Sequence, residues 1–314
     1  MNIFEPESTA AKRLYIQEVS VRDGFQIEPE FVPTEQKIAL IDALSHTGLA
    51  KIEVTSFTSP KAIPNLADAE AVMSRIQRVP GVVYAALVPN VRGCERALSC
   101  GADEINVFMS ASEGHSKANL RMTRDQSLQE FERIVHQVKG QAALNASIST
   151  AFGCPFDGQV PPEQVLQIVQ HLVDMGFQAV TLCDTTGMAN PVQVHGLCSA
   201  VLKRWPSLTV AAHFHNTRGM GLANVLAALS AGIDRFDASL GGLGGCPFAP
   251  GASGNVCTED LVHMVDAMGY NTGVDLNMLL ELARTLPDIV GHDVPGQVMK
   301  AGPYTRRWPL PDVS

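Results

Sequence analysis

The sequence predicts an α/β fold, a (β/α)8 TIM barrel, on three observations. Short β-rich apolar runs recur along the chain, most of them followed by a longer segment of helical period. They extend over about 250 residues with no linker-like or low-complexity segment to divide them. The unusual polar residues gather at the C-terminal ends of the runs, where a barrel of this kind builds its active site. A doubly wound sheet gives the same alternation, and it is the third observation that favours the barrel.

The eight runs are read as strands. The first four lie at 14–21 (LYIQEVSV), 50–56 (AKIEVTS), 81–88 (GVVYAALV) and 103–109 (DEINVFM). The other four lie at 143–150 (ALNASIST), 179–185 (AVTLCDT), 208–215 (LTVAAHFH) and 235–241 (RFDASLG). Helices are clearest at 34–48, 161–176 and 220–232. In the first, Ile38, Ile41 and Leu44 step by three and Leu40 lies four before Leu44, which puts all four on one side of a helix. Thr34 stands at its N-cap position and Gly48 marks its stop. The chain, 1–314, reads as a single catalytic barrel with about 276–314 as an extension packed on it.

At 314 residues, 46% hydrophobic and 18% charged, the chain has the composition of a globular protein with a large core. A net charge of −9 argues against nucleic acid and anionic membrane surfaces, which need a basic face. It leaves room for an anionic small molecule held by a few local cations. No apolar run approaches the roughly 20 residues of a membrane helix. The N-terminal segment MNIFEPESTAAKRLYIQ has neither an apolar signal region nor an Arg-rich transit character. The seven cysteines, at 94, 100, 154, 183, 198, 246 and 257, form no C-x-x-C pair. That argues against a disulfide framework or structural zinc. The expectation is a cytoplasmic protein with no nucleic-acid partner and no membrane.

Two motifs could carry chemistry at strand ends. In AHFHN, His213 and His215 are two apart on a strand, so both imidazoles share a face and make a natural metal-binding pair. The alternative is one buried, hydrogen-bonded histidine beside one at the surface. In VSVRDGFQ, Asp23 offers a hard oxygen ligand and Arg22 a charge for an oxyanion or carboxylate. The alternative there is an ion pair that closes the barrel end. Glu18 lies four residues before Arg22 and Glu53 sits among apolar residues of the second run. Acids in apolar strands are costly unless paired, and Arg22 is an available partner for both. One Asp, two His and an amide such as Asn255 make a mixed oxygen–nitrogen set suited to Mg²⁺ or Mn²⁺ with positions open to water and substrate.

The segment LGGLGGCPFAPGASGN, 240–255, holds six glycines and the thiol of Cys246. It lacks the G-x-G-x-x-G spacing of a dinucleotide loop and the G-K-[ST] of a P-loop. A phosphate-cradling turn is one reading. The other is a mobile loop that brings the Cys246 thiol over the barrel mouth as a general acid or base.

Taken together, EVSVRDGFQ, IEVTSFTSPK, GCPF, DTTG, HFHNTRGMGLAN and GLGGCPFAPGASGN followed by TEDLV resemble the 3-hydroxy-3-methylglutaryl-CoA lyase family. The match runs from about residue 14 to about 275, in order and at the family's spacing. The resemblance implies a barrel that cleaves a 3-hydroxyacyl-CoA to acetyl-CoA and a keto acid by reverse Claisen chemistry. It implies a divalent cation held by Asp23, His213, His215 and Asn255. Arg22 would stabilise the enolate oxygen, His213 would assist proton transfer and Cys246 would protonate the acetyl-CoA carbanion. Glu18 and Glu53 would orient Arg22 and the metal shell. Ser56, Asn119, Ser147, Asp184 and Thr185 would contact substrate. Lys61, Lys117 and Arg218 are candidates for the CoA phosphates by strand-end position, and a homodimer is expected.

The chain departs from the family pattern at four places. Phe25 and Ile27 replace a Leu and an Asn, and Asn216 follows the H-x-H pair in place of Asp. Ser147 stands where the lyases usually carry a Tyr near the substrate's C3 substituent. The smaller side chain keeps citramalyl-CoA, or an acyl-CoA with a bulkier 3-substituent, open as the substrate. Two further alternatives are a Claisen condensing synthase of the isopropylmalate or homocitrate type and a barrel that only binds. The GGCP loop argues against the first and the intact set of metal ligands against the second.

Overall fold

The computed structural model describes residues 12–245 and 254–309. Eight parallel strands close into a barrel in sequence order, with the first strand pairing with the last. They are β1 (Tyr15–Glu18), β2 (Lys51–Ser56), β3 (Val83–Leu87), β4 (Glu104–Ser110), β5 (Ala143–Ser149), β6 (Ala179–Asp184), β7 (Thr209–Phe214) and β8 (Arg235–Ala238). Each lies within one of the expected runs or one residue beyond it. Helices α1 (Thr34–Ser45), α2 (Ala69–Arg75), α3 (Val91–Ser99), α4 (Glu113–Leu120) and α5 (Arg124–Val138) occupy the first half. Helices α6 (Pro162–Asp174), α7 (Pro191–Arg204), α8 (Gly221–Ala231) and α9 (Thr258–Ala267) occupy the second. Beyond them come α10 (Leu276–Val290) and α11 (Val298–Ala301). Leu279, Leu280, Ala283 and Leu286 of α10 are buried in the common core, and α10 packs on α1 and α9.

The period of two along each strand decides where the core lies. In β5, Ala146 and Ile148 face the helices while Asn145, Ser147 and Ser149 face the barrel axis or its mouth. Likewise Ile52 and Val54 of β2 point outward, and Lys51 and Glu53 inward. The apolar core is therefore the shell between strands and helices, and the barrel interior is largely polar. Lys51 and Glu104 pair there at 2.6 Å.

Local chemistry explains most boundaries. Asn190 and Thr123 start α7 and α5 with capping boxes closed by Gln193 and Gln126. The N-cap expected of Thr34 is a correction: Pro33 is the cap residue, and the Thr34 hydroxyl turns to Asp68 Oδ2 at 2.8 Å. That bond ties α1 to the start of α2, where Lys37 also meets Asp68 at 2.8 Å.

The first strand is shorter than its sequence suggests. β1 stops at Glu18, and Ser20–Gly24 winds into one turn of π-helix. The Val19 carbonyl accepts the Asp23 N–H at 2.7 Å and the Gly24 N–H at 3.4 Å. Such wide turns interrupt regular structure at functional positions. Here the turn delivers two adjacent charged side chains to the mouth of the barrel.

Candidate active site

Arg22 and Asp23, carried by that turn, stand opposite His213 and His215 at the end of β7. One ligand atom from each of Asp23, His213 and His215 lies within 4.8 Å of the others, and all three residues are buried. Asn255 reaches the same place from the far side of the Gly-rich loop, where it bridges to His215. Its Nδ2 donates to Asp23 Oδ2 at 2.7 Å and to the Leu243 carbonyl at 3.0 Å. The close approach depends on glycine: Gly244 has φ +113°, and a Cβ there would lie 2.6 Å from Asn255 Nδ2. On the facing turn, a Cβ on Gly24 would lie 2.9 Å from that of Leu243.

The donor set fits a divalent cation. Asn255 Oδ1 is buried and has no hydrogen-bond partner among the described residues, while the Nδ2 of the same amide is fully used. An orphaned carbonyl oxygen costs about 1–3 kcal/mol unless something binds it. A carboxylate, two imidazoles and that oxygen form a mixed oxygen–nitrogen site of the kind that holds a divalent cation. Asp23 is kept ready as a ligand. Burial raises its carboxyl, but Arg22, the two imidazoles and Asn255 outweigh that and hold it below the ordinary aspartate value.

Arg22 is clamped between two acids. Its Nε donates to Glu53 Oε2 and its Nη1 to Asp23 Oδ1 at 2.6 Å. Among the described residues Nη2 donates to nothing, so it is the part of the guanidinium left for a bound oxyanion. Burial opposes the charge, yet Glu53 and Asp23 outweigh it and raise the pKa above the ordinary arginine value. Gln26 Nε2 adds a bond to Asp23 Oδ1 at 2.9 Å.

Asp237 is a site residue that sequence reasoning missed. Its Oδ2 lies 3.2 Å from His213 Nδ1, which leaves Nε2 as the other ring nitrogen. Burial lowers the His213 pKa, but the hydrogen bond and charge of Asp237 more than offset it, and the net shift is upward. The signal was an acid in the apolar run RFDASL, the same clue that drew attention to Glu53.

A cavity of about 880 Å³ opens above these residues. Arg22, Asp23, Asn119, Ser147, Thr185, His213 and His215 from the expected set line it, together with Asp237. Glu53 lies directly beneath, behind Arg22. Glu18 does not join them. Its Oε1 accepts the N–H groups of Ser20 and Leu240 at 2.8 and 2.9 Å, and its Oε2 accepts the Thr258 hydroxyl at 2.7 Å. β1 ends at Glu18, so the four-residue spacing to Arg22 does not keep the two on one face.

Ser56 and Asp184 also fall outside the cavity wall. Ser56 is buried and shares its hydroxyl with Thr58 at 2.7 Å. Asp184 Oδ1 accepts the N–H groups of Met188 and Ala189 at 2.8 and 3.0 Å, which shapes the turn after β6. Burial pushes its carboxyl up to about 6. Of the three cations considered for phosphate, Lys61 lines the cavity. Arg218 donates to the carbonyls of Thr186 and Gly187, and Lys117 pairs with Glu113. Arg121, at the end of α4, lines the cavity and was not foreseen. Cys246 lies outside the described residues.

The comparisons agree with this geometry. The HMGL-like family model matches residues 13–286. A hydroxymethylglutaryl-CoA lyase of Bacillus subtilis is 47% identical over 287 residues, covering 91% of this chain and 96% of its own. The (R)-citramalyl-CoA lyase of Chloroflexus aurantiacus is 42% identical over 299 residues, covering 92% and 94%. Among solved structures, an HMG-CoA lyase of Acinetobacter baumannii in complex with coenzyme A and 3-methylmalate superposes with a TM-score of 0.92. It is 52% identical and covers 95% of this chain and 98% of its own. A barrel with this mouth, matched over nearly its full length by such relatives, belongs to the HMGL-like family.

Proposed function

We propose that the protein is a carbon–carbon lyase that cleaves 3-hydroxy-3-methylglutaryl-CoA, or a close analogue, to acetyl-CoA and a keto acid such as acetoacetate. The observation that carries this reading is the Asp23–His213–His215 cluster beside Arg22 at the floor of the cavity. A divalent cation bound there supplies positive charge that holds the substrate's oxygens and eases loss of the 3-hydroxyl proton.

The chain's own residues account for the remaining roles. The 3-hydroxyl proton passes to the Asp237–His213 pair, whose carboxylate lines the cavity and accepts it, because both ring nitrogens of His213 would be engaged with a cation bound. As the C2–C3 bond breaks, its electron pair passes to the thioester enolate and C3 becomes a ketone. Arg22, which lines the cavity, stabilises the enolate oxygen. Protonation of C2 completes acetyl-CoA, a role that the family resemblance gives to the Cys246 thiol. Asn119, Thr185, Lys61 and Arg121 all line the cavity, which supports a part for them in binding the substrate and its phosphates.

The citramalyl-CoA lyase relative favours a second reading, in which citramalyl-CoA is the substrate. The mixed ligand set, with two oxygens and no thiolate, supports Mg²⁺ or Mn²⁺ as the ion. The lyase reading brings with it a place in leucine degradation, the cytoplasm and a homodimer. Among the described residues no helix is long and apolar enough to cross a membrane. The test is kcat/KM for 3-hydroxy-3-methylglutaryl-CoA and citramalyl-CoA measured side by side. A higher value for the first supports the main reading, a higher value for the second moves the substrate, and turnover of neither refutes both.

A further inference from the structure

A chain of side-chain hydrogen bonds runs beneath the cavity from β5 to Arg22. Asn145 Nδ2 donates to Asn106 Oδ1 at 2.9 Å, and Asn106 Nδ2 donates to Glu53 Oε1 at 2.6 Å. Glu53 Oε2 in turn receives Arg22 Nε. A third bond joins the chain to the substrate cavity: the Ser147 hydroxyl donates to Asn106 Oδ1 at 3.0 Å. Asn106, Asn145 and Glu53 are all buried.

This network admits one arrangement of the Asn106 amide. Glu53 accepts only, so the Asn106 NH₂ must face it; two donors already point at Oδ1, so the carbonyl must face them. Flipping the amide would oppose its oxygen to Glu53 Oε1, so the Glu53 side fixes it and leaves Oδ1 to accept from Asn145 and Ser147. Both oxygens of Glu53 are thereby fixed, and the plane of the Arg22 guanidinium follows from them. Nearby interior charges make the amide more than a filler. Glu104 feels the like charges of both Asp237 and Glu53. A neutral donor at 106 holds Glu53 in this acidic interior without adding another charge.

We propose that Asn106 is a positioning residue for the lyase reaction, aligning Arg22 through Glu53 and tying that alignment to Ser147 on the cavity wall. It touches no reacting atom. The catalytic part of this inference rests on the lyase reading above, while the alignment of Arg22 stands independently of it.

The test pairs kinetics with a direct readout of Arg22. Asn106→Leu keeps the approximate volume and removes the donor, and Asn106→Asp keeps the shape and opposes a second carboxylate to Glu53. The side-chain Nε–H signal of Arg22 is identified in a nitrogen–proton correlation spectrum by its loss in Arg22→Lys. In both Asn106 variants this signal moves or exchanges faster with solvent, kcat falls by about 10- to 100-fold, and KM stays within about 3-fold. Combining either variant with Glu53→Gln costs little beyond Glu53→Gln alone, because the two act along one line. If Asn106→Leu does not fold, Asn145→Ser, which loosens the far end of the chain, is read in the same way with a smaller effect. An unchanged Arg22 signal with unchanged kcat in folded variants overturns the proposal, even if their melting temperature drops. Should the wild type cleave no acyl-CoA, the lyase reading fails, and the Arg22 signal alone still decides whether Asn106 aligns the arginine.

Discussion

His213 and Asp237 are register partners on β7 and β8, and their side chains meet inside the barrel with Nδ1 and Oδ2 3.2 Å apart. An imidazole that donates one N–H to a carboxylate offers its other nitrogen in a fixed direction and with greater basicity. The pairing therefore connects the geometry of the strands to the behaviour of the cation site.

The consequence is testable with a small change. Asp237→Asn retains the size of the side chain but removes the charge and allows the ring to adopt the wrong tautomer. Cation affinity is expected to weaken by about 10- to 100-fold, measured by titration calorimetry with Mn²⁺. Activity at saturating cation should recover in part. Affinity equal to wild type would show that His213 does not depend on Asp237.

Arg22 carries a different prediction, because its role is confined to the charge that develops as the bond breaks. Arg22→Lys leaves a cation but cannot serve Glu53, Asp23 and an oxyanion together. A loss of about 10²- to 10³-fold in kcat with little change in KM is expected. A change confined to KM would place Arg22 in ground-state binding.

Much of this was legible in the sequence, and the misses share one physical cause. The strands announced themselves through local β-rich composition, and the cation ligands through their positions at strand ends. Glu18 was misplaced because its partners, Leu240 and Thr258, are more than 200 residues away. Asp237 stood out locally as an acid in an apolar run, but its partner did not, since only the β7–β8 register sets it beside His213. The π-turn at 20–24 ends a strand that local pattern extends to 21, and Gly24 fits there because it packs on Leu243 from the other end of the chain. Local pattern gives elements and candidate residues; partners separated by half the chain become known only when the barrel closes.

Glu259, on the first turn of α9, is buried and accepts one bond from the Gly241 N–H at 3.0 Å. Burial pushes its pKa from 4.5 up to about 8. Between those values the folded protein holds a proton that the unfolded chain has released. The contribution of Glu259 to stability therefore falls as pH rises through that window, by a few kcal/mol, on the order of 4–5, over its full width. Glu259→Gln removes the titration while keeping the shape. Urea unfolding should find the variant's advantage over wild type small near pH 5 and growing toward pH 8. A constant difference across that range would mean that Glu259 is ionised in the fold throughout.

The central claim is that the Asp23–His213–His215–Asn255 cluster makes this chain a cation-dependent lyase. It is tested most directly by following acetyl-CoA release from 3-hydroxy-3-methylglutaryl-CoA before chelation, after exhaustive chelation, and after Mg²⁺ or Mn²⁺ is restored. The account predicts release that falls to background on chelation and returns with either ion, and no return in His213→Ala. Undiminished release from protein shown by elemental analysis to be free of divalent cation would contradict it.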